Sequence, residues 1–287
     1  MDASEIKTVG VVGCGQMGAG IAEVFCKAGY QVRVAEVTPD LLAKGLKSIE
    51  NSFNRAVDKG KISAEDKGSF LSHLTGVESL SNLADCDLVI EAAAEEINIK
   101  RQLFAELDAC CKPETLLASN TSSLSVTEIA EATKRPGQVL GLHFFNPVPV
   151  MALVEIVNGV LTLPETVATG QAVAETLGKT AVVVRDRPGF IVNLLLIPYL
   201  CHAIEWYDSG LATKEEIDTA VRLGLNNPIG PLALSDLIGL DVVLFIADSL
   251  HGEFRQPRYA APPLLRRMVK AGLLGRKTGQ GFYTYSK

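Results

Sequence analysis

Short apolar runs alternate with longer segments of helical periodicity through the first half of the chain. The runs at residues 8–12, 31–35, 87–92, 115–118 and 139–145 have strand length and are rich in strand-forming residues. Between them, residues 19–28, 39–59 and 97–110 place apolar side chains three and four positions apart. This alternation predicts an α/β Rossmann-type domain, a mostly parallel sheet with helices on both faces.

Two capping boxes predict where further helices begin. Ser63 stands three residues before Asp66, and Ser125 stands three residues before Glu128. In this arrangement the hydroxyl accepts from the third helical N–H, and the acidic side chain accepts from the N-cap N–H. We expect helices to start at both places, the second running to about residue 133.

A proline-containing turn separates two apolar runs, residues 139–145 and 153–157. Pro147 and Pro149 fix the backbone and forbid a continuous ladder between the runs. If the runs fold back on each other, His143 and Glu155 can meet although twelve positions separate them. A helix at 166–177 and a strand at 181–184 should then complete this domain.

The pattern changes at residues 185–189, which we predict to be the domain boundary, giving domains 1–186 and 187–287. The second domain is expected to be all α-helical, with helices at 190–208, 213–223, 235–249 and 262–271. The first of these is apolar on nearly all sides and should be kinked at Pro198. The tail, residues 279–285, resembles a strand that packs back on a neighbour. This domain has more apolar surface than it can bury alone, which predicts a homodimer formed through it.

Charge, cysteine content and hydropathy indicate which partners and sites are not expected. The net charge of −6 argues against nucleic acid as a partner, because no basic face is evident. The six cysteines match neither a zinc site nor a disulfide framework, so we expect no metal and reduced thiols in the cytoplasm. Neither a signal peptide nor a run of membrane-spanning length is visible, so no membrane association is expected.

A glycine-rich turn lies between the first strand and the first helix. Gly13, Gly15 and Gly18 have the spacing at which dinucleotide pyrophosphates meet a helix N-terminus, and Glu36 ends the next strand. Glu36 is positioned to accept from ribose hydroxyls and to repel a 2′-phosphate, which favours NAD over NADP. The alternative is a glycine turn in an unrelated α/β unit.

Polar residues follow the other strands of the predicted sheet, at 91–96, at 119–123 and at His143. Ligands in such sheets bind beyond the carboxyl ends of the strands, so His143 is a candidate for proton transfer with Glu155 as its partner. The alternative is a buried histidine with a structural partner.

Two further polar features have two interpretations each. Asn193 is either packed against backbone groups or presented to a ligand. The basic residues 47, 55, 59, 61 and 67 are either a solvated helical face or a phosphate-binding one.

Seven motifs together resemble the L-3-hydroxyacyl-CoA dehydrogenase family, especially its bacterial 3-hydroxybutyryl-CoA dehydrogenases, over essentially all 287 residues. They are GCGQMG at 13–18, EAAAE at 91–95, SNTSS at 119–123, HFFNPVP at 143–149, PGFIVN at 188–193, NPIGP at 227–231 and KTGQGFY at 277–283. The resemblance implies reversible, NAD(H)-dependent oxidation of an (S)-3-hydroxyacyl-CoA to a 3-oxoacyl-CoA, with 3-hydroxybutyryl-CoA as the expected substrate in fatty-acid or butyrate metabolism.

The resemblance also implies roles for individual residues. His143 would be the general acid/base with Glu155 as its partner, and Ser122 and Asn193 would surround the reacting oxygen. The implied cofactor-binding residues are Gly13, Gly15, Gln16, Met17, Gly18, Glu36, Glu95, Lys100, Asn120, Ser122, His143 and Asn146. The implied substrate-binding residues are Ser52, Lys59, Ser122 and Asn193.

Two positions depart from the family's usual pattern. Leu194 stands where arginine is frequent, and Glu36 stands where aspartate is frequent. Two other functions remain open at this point. One is an NAD-dependent dehydrogenase of a free hydroxy acid, and the other is a catalytically silent dinucleotide-binding protein. The residues do not indicate acyl chain length, physiological direction or the size of the oligomer.

Overall fold

Eight strands form one sheet in the first of two structural units. The computed structural model describes residues 2–285, which divide into units at residues 2–187 and 188–285. The strands are β1 (Thr8–Val12), β2 (Gln31–Ala35), β3 (Leu74–Val77), β4 (Leu88–Glu91), β5 (Leu116–Ser119), β6 (Val139–Phe144), β7 (Leu153–Asn158) and β8 (Thr180–Arg185). Their order is β3-β2-β1-β4-β5-β6-β7-β8, and every neighbouring pair is parallel except β6 with β7.

Six helices accompany this sheet: α1 (Gln16–Lys27), α2 (Pro39–Asp58), α3 (Ala64–Ser72), α4 (Ile97–Cys110), α5 (Val126–Ala130) and α6 (Pro164–Thr176). Helix α2 begins where Thr38 caps it and Pro39 occupies its first turn. The predicted box of Ser63 and Asp66 caps α3 in both directions. Strands and helices bury a common apolar core, so the predicted Rossmann-type α/β architecture is confirmed.

Three local expectations differ from the structure. Strand β3 was not predicted, because its four residues are half-exposed at the sheet edge and carry little apolar pattern. Helix α5 ends at Ala130 rather than near residue 133. Its N-terminus is completed by Asp186, whose carboxylate accepts from the N–H groups of Val126 and Thr127. The predicted capping box is therefore only half formed: the Ser125 hydroxyl accepts from the Glu128 N–H, and other N–H groups of the first turn donate to a residue distant in sequence.

The second unit is helical, as predicted. It contains α7 (Val192–Asp208), α8 (Lys214–Gly224), α9 (Pro231–Ile238), α10 (Leu240–Phe254) and α11 (Pro263–Lys270) around its own apolar core. Helix α7 passes through Pro198. The single helix expected at 235–249 is wrong, because Gly239 adopts φ 104° and separates α9 from α10.

The C-terminal tail does not form the expected strand. Within the described part of the tail, to Tyr285, Gln280 and Thr284 form only isolated bridges. Asp236, 1% exposed, holds the tail by accepting from the N–H groups of Phe282 and Tyr283. A buried carboxylate in α9, rather than a neighbouring strand, therefore determines where the tail lies.

Large apolar side chains are exposed on the helical unit. Leu195 and Trp206 of α7, Leu223 and Leu225 around the end of α8, and Phe245 of α10 are each between 46% and 77% exposed. The all-round burial expected for α7 is thus incomplete within one chain. Among residues 2–285, no helix is both long and apolar enough to cross a membrane.

Candidate active site

The glycine turn after β1 is shaped by contacts within the protein. Gly13 adopts φ +93°, and a Cβ there would lie 2.7 Å from the carbonyl oxygen of Ala92. A Cβ at Gly18 would lie 1.9 Å from the carbonyl oxygen of Gly13. Both positions therefore require glycine for the turn and for the close packing of α1 on β1.

Gly15 differs from the other two glycines because it faces open space. A Cβ at Gly15 would meet no atom within 4 Å, so the absence of a side chain leaves the approach to the turn unobstructed. Gly15 is also the N-cap of α1, and no side-chain bond caps that end. The free N–H groups and positive dipole of a helix N-terminus favour an anion such as a pyrophosphate. The turn therefore fits a dinucleotide on steric and electrostatic grounds.

Two of the expected cofactor residues flank this helix start. Gln16 is exposed, and its Nε2 donates to Oδ1 of Asn146, also exposed, over 3.0 Å. Met17 is half-buried against the core of the unit. The contact between Gln16 and Asn146 joins the glycine turn to the end of β6, although 130 positions separate them.

Glu36 is fixed at the end of β2 by two backbone groups. Its Oε2 accepts from the N–H of Cys14 over 2.7 Å, and its Oε1 accepts from the N–H of Val37 over 2.8 Å. Burial, with the charge of Glu36 adding to it, raises the pKa of the Cys14 thiol to about 11. The acid predicted to contact a ribose is thus held directly beside the glycine turn.

His143 and Glu155 make the contact that the folded-back strands permit. The antiparallel register pairs His143 of β6 directly with Glu155 of β7. Nδ1 of His143 lies 2.7 Å from Oε2 of Glu155, and the two residues are 5% and 0% exposed. Because Nδ1 faces the carboxylate, a proton exchanged with a ligand would pass through Nε2.

Asn120 joins the loop after β5 to the end of β6. Its N–H donates to the carbonyl oxygen of Glu91 over 2.8 Å, and its Oδ1 accepts from the N–H of Phe144 over 2.9 Å. The side chain of Asn120 therefore has a structural contact within the protein, one residue from His143.

Glu95 accepts several hydrogen bonds from the loop that contains Ser122. Its Oε1 accepts from the Thr121 hydroxyl over 2.7 Å and from the Ser122 N–H over 2.8 Å. The Ser122 hydroxyl lies farther away, at 3.2 Å. Burial opposes ionisation of Glu95, but the charge of Lys100 and the hydrogen bonds from this loop outweigh it and lower the pKa of Glu95. Glu95 is therefore a charged anchor for the loop.

Lys100 lies beneath the same loop and is 1% exposed. Its Nζ is 2.7 and 2.9 Å from the two carboxylate oxygens of Glu91, and 3.3 Å from Oε2 of Glu95. Glu91 is itself 0% exposed. In the sequence, Glu91 belongs to a polar cluster at the end of β4, and the family resemblance implies no role for it. Glu91 ends β4 and Lys100 lies nine residues later in α4, so neither a strand nor a helix period indicates from the sequence that the two side chains meet.

A cleft of about 740 Å³ extends from the glycine turn to one face of α2. Ser52 and Lys59 line it, as do Glu36 and the turn from Asn146 to Val150. The basic residues that line the cleft are Lys27, Lys44, Arg55, Lys59 and Lys61. Two members of the predicted basic cluster, Lys47 and Lys67, are not among the lining residues. The α2 side of the cleft is thus positively charged and suited to phosphate groups.

Asn193 lies in the first turn of α7 in the helical unit and is 8% exposed. The neighbouring Leu194 packs against the apolar core of that unit. The leucine therefore has an apolar environment at the position where arginine is frequent in the family that the motifs resemble.

Comparisons with known proteins show to which family the chain belongs. Residues 8–187 match the family model of the 3-hydroxyacyl-CoA dehydrogenase NAD-binding domain, and residues 189–285 match that of the C-terminal domain. The chain belongs to the 3-hydroxyacyl-CoA dehydrogenase family. A family member from Mycobacterium tuberculosis, named 3-hydroxybutyryl-CoA dehydrogenase, is 50% identical over 98% of this chain and 99% of its own.

Two further relatives carry the same name. The 3-hydroxybutyryl-CoA dehydrogenase of Clostridioides difficile is 48% identical over 96% of this chain and 99% of its own. The crystal structure of (S)-3-hydroxybutyryl-CoA dehydrogenase from Ralstonia eutropha matches with a TM-score of 0.94 at 43% identity. That match covers 99% of this chain and 100% of the other. The family resemblance inferred from the motifs is therefore confirmed.

Proposed function

We propose that this protein catalyses the reversible, NAD(H)-dependent oxidation of (S)-3-hydroxybutyryl-CoA to acetoacetyl-CoA. The observation that carries the proposal is the buried contact of 2.7 Å between His143 and Glu155. His143 lies near the carboxyl end of β6, and the glycine turn follows the carboxyl end of β1 in the same sheet. A histidine oriented by a carboxylate transfers protons, and a dinucleotide beside it supplies redox chemistry. The names of the relatives indicate the acyl-CoA substrate.

The proposed chemistry divides between the cofactor and the protein. Bound NAD would supply the hydride acceptor for oxidation at C3 of the substrate, and NADH would supply the hydride donor for reduction. His143 takes the hydroxyl proton through Nε2 during oxidation and gives it back during reduction. Glu155 accepts from Nδ1 and stabilises the imidazolium that forms. Ser122 and Asn193 are assigned hydrogen bonds to the oxygen whose charge changes.

The residues proposed to hold NAD occupy the carboxyl edge of the sheet. The N–H groups at Gly15 and at the start of α1 would face the pyrophosphate, and Glu36 would accept from the adenosine ribose. The remaining proposed contacts are Gly13, Gln16, Met17, Gly18, Glu95, Lys100, Asn120, Ser122, His143 and Asn146. Because Glu36 carries a charge that repels a 2′-phosphate, NAD is preferred to NADP.

Ser52 and Lys59 are proposed to contact the coenzyme A part of the substrate. Both line the cleft of about 740 Å³ on the α2 side, where several further cations stand. Coenzyme A carries phosphate groups, which basic side chains and hydroxyls bind by charge-assisted hydrogen bonds. This location favours the phosphate-binding interpretation of the helix over a merely solvated face.

We further propose that the protein is a homodimer formed through the helical unit. It acts on acyl-CoA in the cytoplasm, and neither nucleic acid nor a membrane is its partner. The exposed apolar side chains Leu195, Trp206, Leu223 and Leu225 support the dimer. All six cysteines are free thiols, which suits a reducing compartment. Light scattering coupled to size exclusion should give twice the chain mass. A monomer at micromolar concentration would contradict the dimer.

The decisive experiment compares His143→Gln with wild type. The variant should lose turnover of acetoacetyl-CoA with NADH while retaining most of its NADH affinity, because His143 transfers the proton but is only one of many residues proposed to contact the cofactor. His202→Gln, an exposed histidine of α7, is the control and should behave as wild type. Wild-type turnover by His143→Gln would refute the assignment. A series of 3-oxoacyl-CoA chain lengths and free 3-oxo acids, each with NADH and NADPH, would distinguish the alternative activities.

A further inference from the structure

The turn between β6 and β7, residues 146–151, forms a wall of the cleft, and we call it the proline turn. Its first five residues line the cleft of about 740 Å³. Oδ1 of Asn146 also accepts from Gln16 at the start of α1, over 3.0 Å. Pro149 and Val150 line a second cavity of about 370 Å³ as well, so the turn lies between the two spaces. A shift of the proline turn would therefore displace Asn146 and reshape the cleft.

The proline turn has few N–H groups with which to hold itself in place. Pro147 and Pro149 have none. The N–H groups of Val150 and Met151 both donate to the carbonyl oxygen of Pro147, over 2.9 and 3.0 Å. Val148 is 1% exposed, so its backbone is removed from solvent. The carbonyl groups of Val148 and Met151 consequently depend on donors from elsewhere in the chain.

Lys179 supplies such a donor. Its Nζ lies 2.7 Å from the carbonyl oxygen of Val148 and 2.7 Å from that of Met151. Lys179 is 8% exposed, and within the described part of the chain it lines the second cavity rather than the cleft. Burial, with the charge of Lys27 adding to it, lowers the pKa of Lys179. Burying an ammonium group is costly, and the two charge-assisted bonds offset that cost.

The end of α6 determines where Lys179 stands. Gly178 adopts φ +68° after the helix, and the N–H of Lys179 donates back to the carbonyl oxygen of Ala174 over 3.0 Å. Together with the bond from the Gly178 N–H into the same turn, this is a Schellman motif. The next N–H, that of Thr180, donates to the carbonyl oxygen of Ala152 over 2.7 Å. The lysine side chain therefore starts from a backbone that is held on both sides.

We propose that Lys179 is a positioning residue, which holds the proline turn through two carbonyl groups and thereby keeps Asn146 in place for the cofactor. The inference rests on the proposed function, because Asn146 is assigned to NAD only there. The alternative is a lysine that stabilises the fold and has no effect on the site. That alternative predicts a lower melting temperature with unchanged NADH affinity.

The test compares Lys179→Met and Lys179→Gln with wild type. Methionine has no donor, whereas the glutamine amide can donate to one of the two carbonyl groups. We expect the Kd for NADH, measured by fluorescence, to rise roughly 5- to 30-fold in Lys179→Met, since small displacements of a binding group have effects of this order. In Lys179→Gln the rise should be smaller but above about threefold. At saturating NADH, kcat should stay within about threefold, because the turn contains no residue proposed to act on the reacting oxygen.

Hydrogen exchange of the protein without ligand measures the proline turn directly. The N–H groups of Val150 and Met151 should exchange at least about fivefold faster in Lys179→Met, because their acceptor in the turn is no longer held in place. Mass spectrometry of peptides that cover residues 146–152 would detect this change. Unchanged exchange there in a folded Lys179→Met variant would refute the proposal.

Lys112→Met is the matched control. Lys112 is one-third exposed and pairs with Asp87, whose carboxylate also accepts from the Thr8 N–H at the amino end of β1. Its loss should leave the Kd for NADH within about twofold of wild type, as expected for a partly exposed pair away from the site. If this control weakens NADH binding as much as Lys179→Met does, the effect is a general one and the proposal fails. Circular dichroism first shows that each variant is folded.

A double-mutant cycle with Asn146→Ala tests the route. If Lys179 acts through Asn146, Lys179→Met should raise the Kd for NADH less than about threefold when Asn146 is already alanine, because both changes remove the same interaction. Fully additive losses would contradict the proposed route. If Lys179→Met does not fold, Lys179→Gln takes its place in every comparison. A folded Lys179→Gln variant with a Kd within about twofold of wild type would then overturn the inference.

The outcomes also separate this inference from the proposed function. If the wild-type protein does not oxidise NADH with acetoacetyl-CoA, the proposed function fails, whereas hydrogen exchange and NADH binding still decide the role of Lys179. If the wild type is active and both Lys179 variants bind NADH as it does, the positioning role fails and the proposed function stands.

Discussion

Replacing Glu155 by glutamine removes one charge from the proposed active site and little else. The side chain is fully buried, and its Oε2 lies 2.7 Å from Nδ1 of His143. Glutamine has nearly the same shape, and its amide can turn its oxygen toward the ring. The variant therefore keeps a neutral hydrogen bond to His143 and loses the attraction between carboxylate and imidazolium.

The expected loss follows from the difference between the two kinds of hydrogen bond. A bond to a charged group contributes about 1.5–3 kcal/mol, against about 0.5–1.5 kcal/mol for a neutral one. The charge therefore accounts for roughly 1–2 kcal/mol of stabilisation when His143 is protonated. Since 1.36 kcal/mol corresponds to a factor of ten in rate, we expect kcat to fall about 5- to 30-fold.

The assay follows NADH absorbance with saturating acetoacetyl-CoA, and the reverse reaction with 3-hydroxybutyryl-CoA. NADH affinity and melting temperature are measured on the same preparations. Glu155→Ala, which removes the whole hydrogen bond, should lose more activity than Glu155→Gln. Glu165→Gln, an exposed glutamate in the first turn of α6, should match wild type. If Glu155→Gln is folded and keeps kcat within about twofold in both directions, the ion-pair reasoning is wrong.

Three further predictions concern other features of the molecule. Gly20→Ala places a Cβ 2.9 Å from Cβ of Val148, and such overpacking should lower the melting temperature by about 2–12 °C. Calorimetry would show this, whereas Gly252→Ala, with nothing within 4 Å, should show no loss. The pKa of Glu95 lies below its ordinary value of 4.5, so its stabilisation is present above pH 4.5 and is lost as pH falls through the lowered pKa. Glu95→Gln should therefore flatten the acid limb of a stability–pH curve, and an unchanged limb would contradict this. Because burial and a neighbouring carboxylate raise the pKa of Cys14 to about 11, mass spectrometry should find it alkylated far more slowly at pH 8 than an exposed thiol, and rapid labelling of native protein would be inconsistent.

Some local predictions succeeded because all the interacting groups lie within one turn. Ser63 and Asp66 cap α3 reciprocally as expected, since each needs only a backbone group three residues away. At Ser125 only half of the pattern forms: the hydroxyl accepts from the Glu128 N–H, while Asp186, which follows β8, accepts from the Ser125 hydroxyl and from the Thr127 N–H. Identical spacing therefore gave two different caps, and a tertiary contact made the difference.

The helix break at Gly239 illustrates a second limit. Apolar periodicity continues from α9 into α10, so the pattern predicted one helix. The positive φ of 104° at Gly239 is permitted but not required by glycine. Periodicity reports which face is apolar, and it does not report whether the backbone turns between two segments that share a core.

The class of fold, the glycine turn with its acid, and the candidate proton-transfer residue could all be predicted from the sequence. These follow from local sterics, from side-chain periods along the chain, and from the rule that ligands meet the carboxyl ends of parallel strands. Only the folded chain shows that His143 lies 2.7 Å from Glu155, and that Lys100 pairs with Glu91 and Glu95. Such contacts depend on strand register and on distances in the folded chain. When two side chains are many positions apart, the periodicity of the sequence indicates neither the register nor the distance between them.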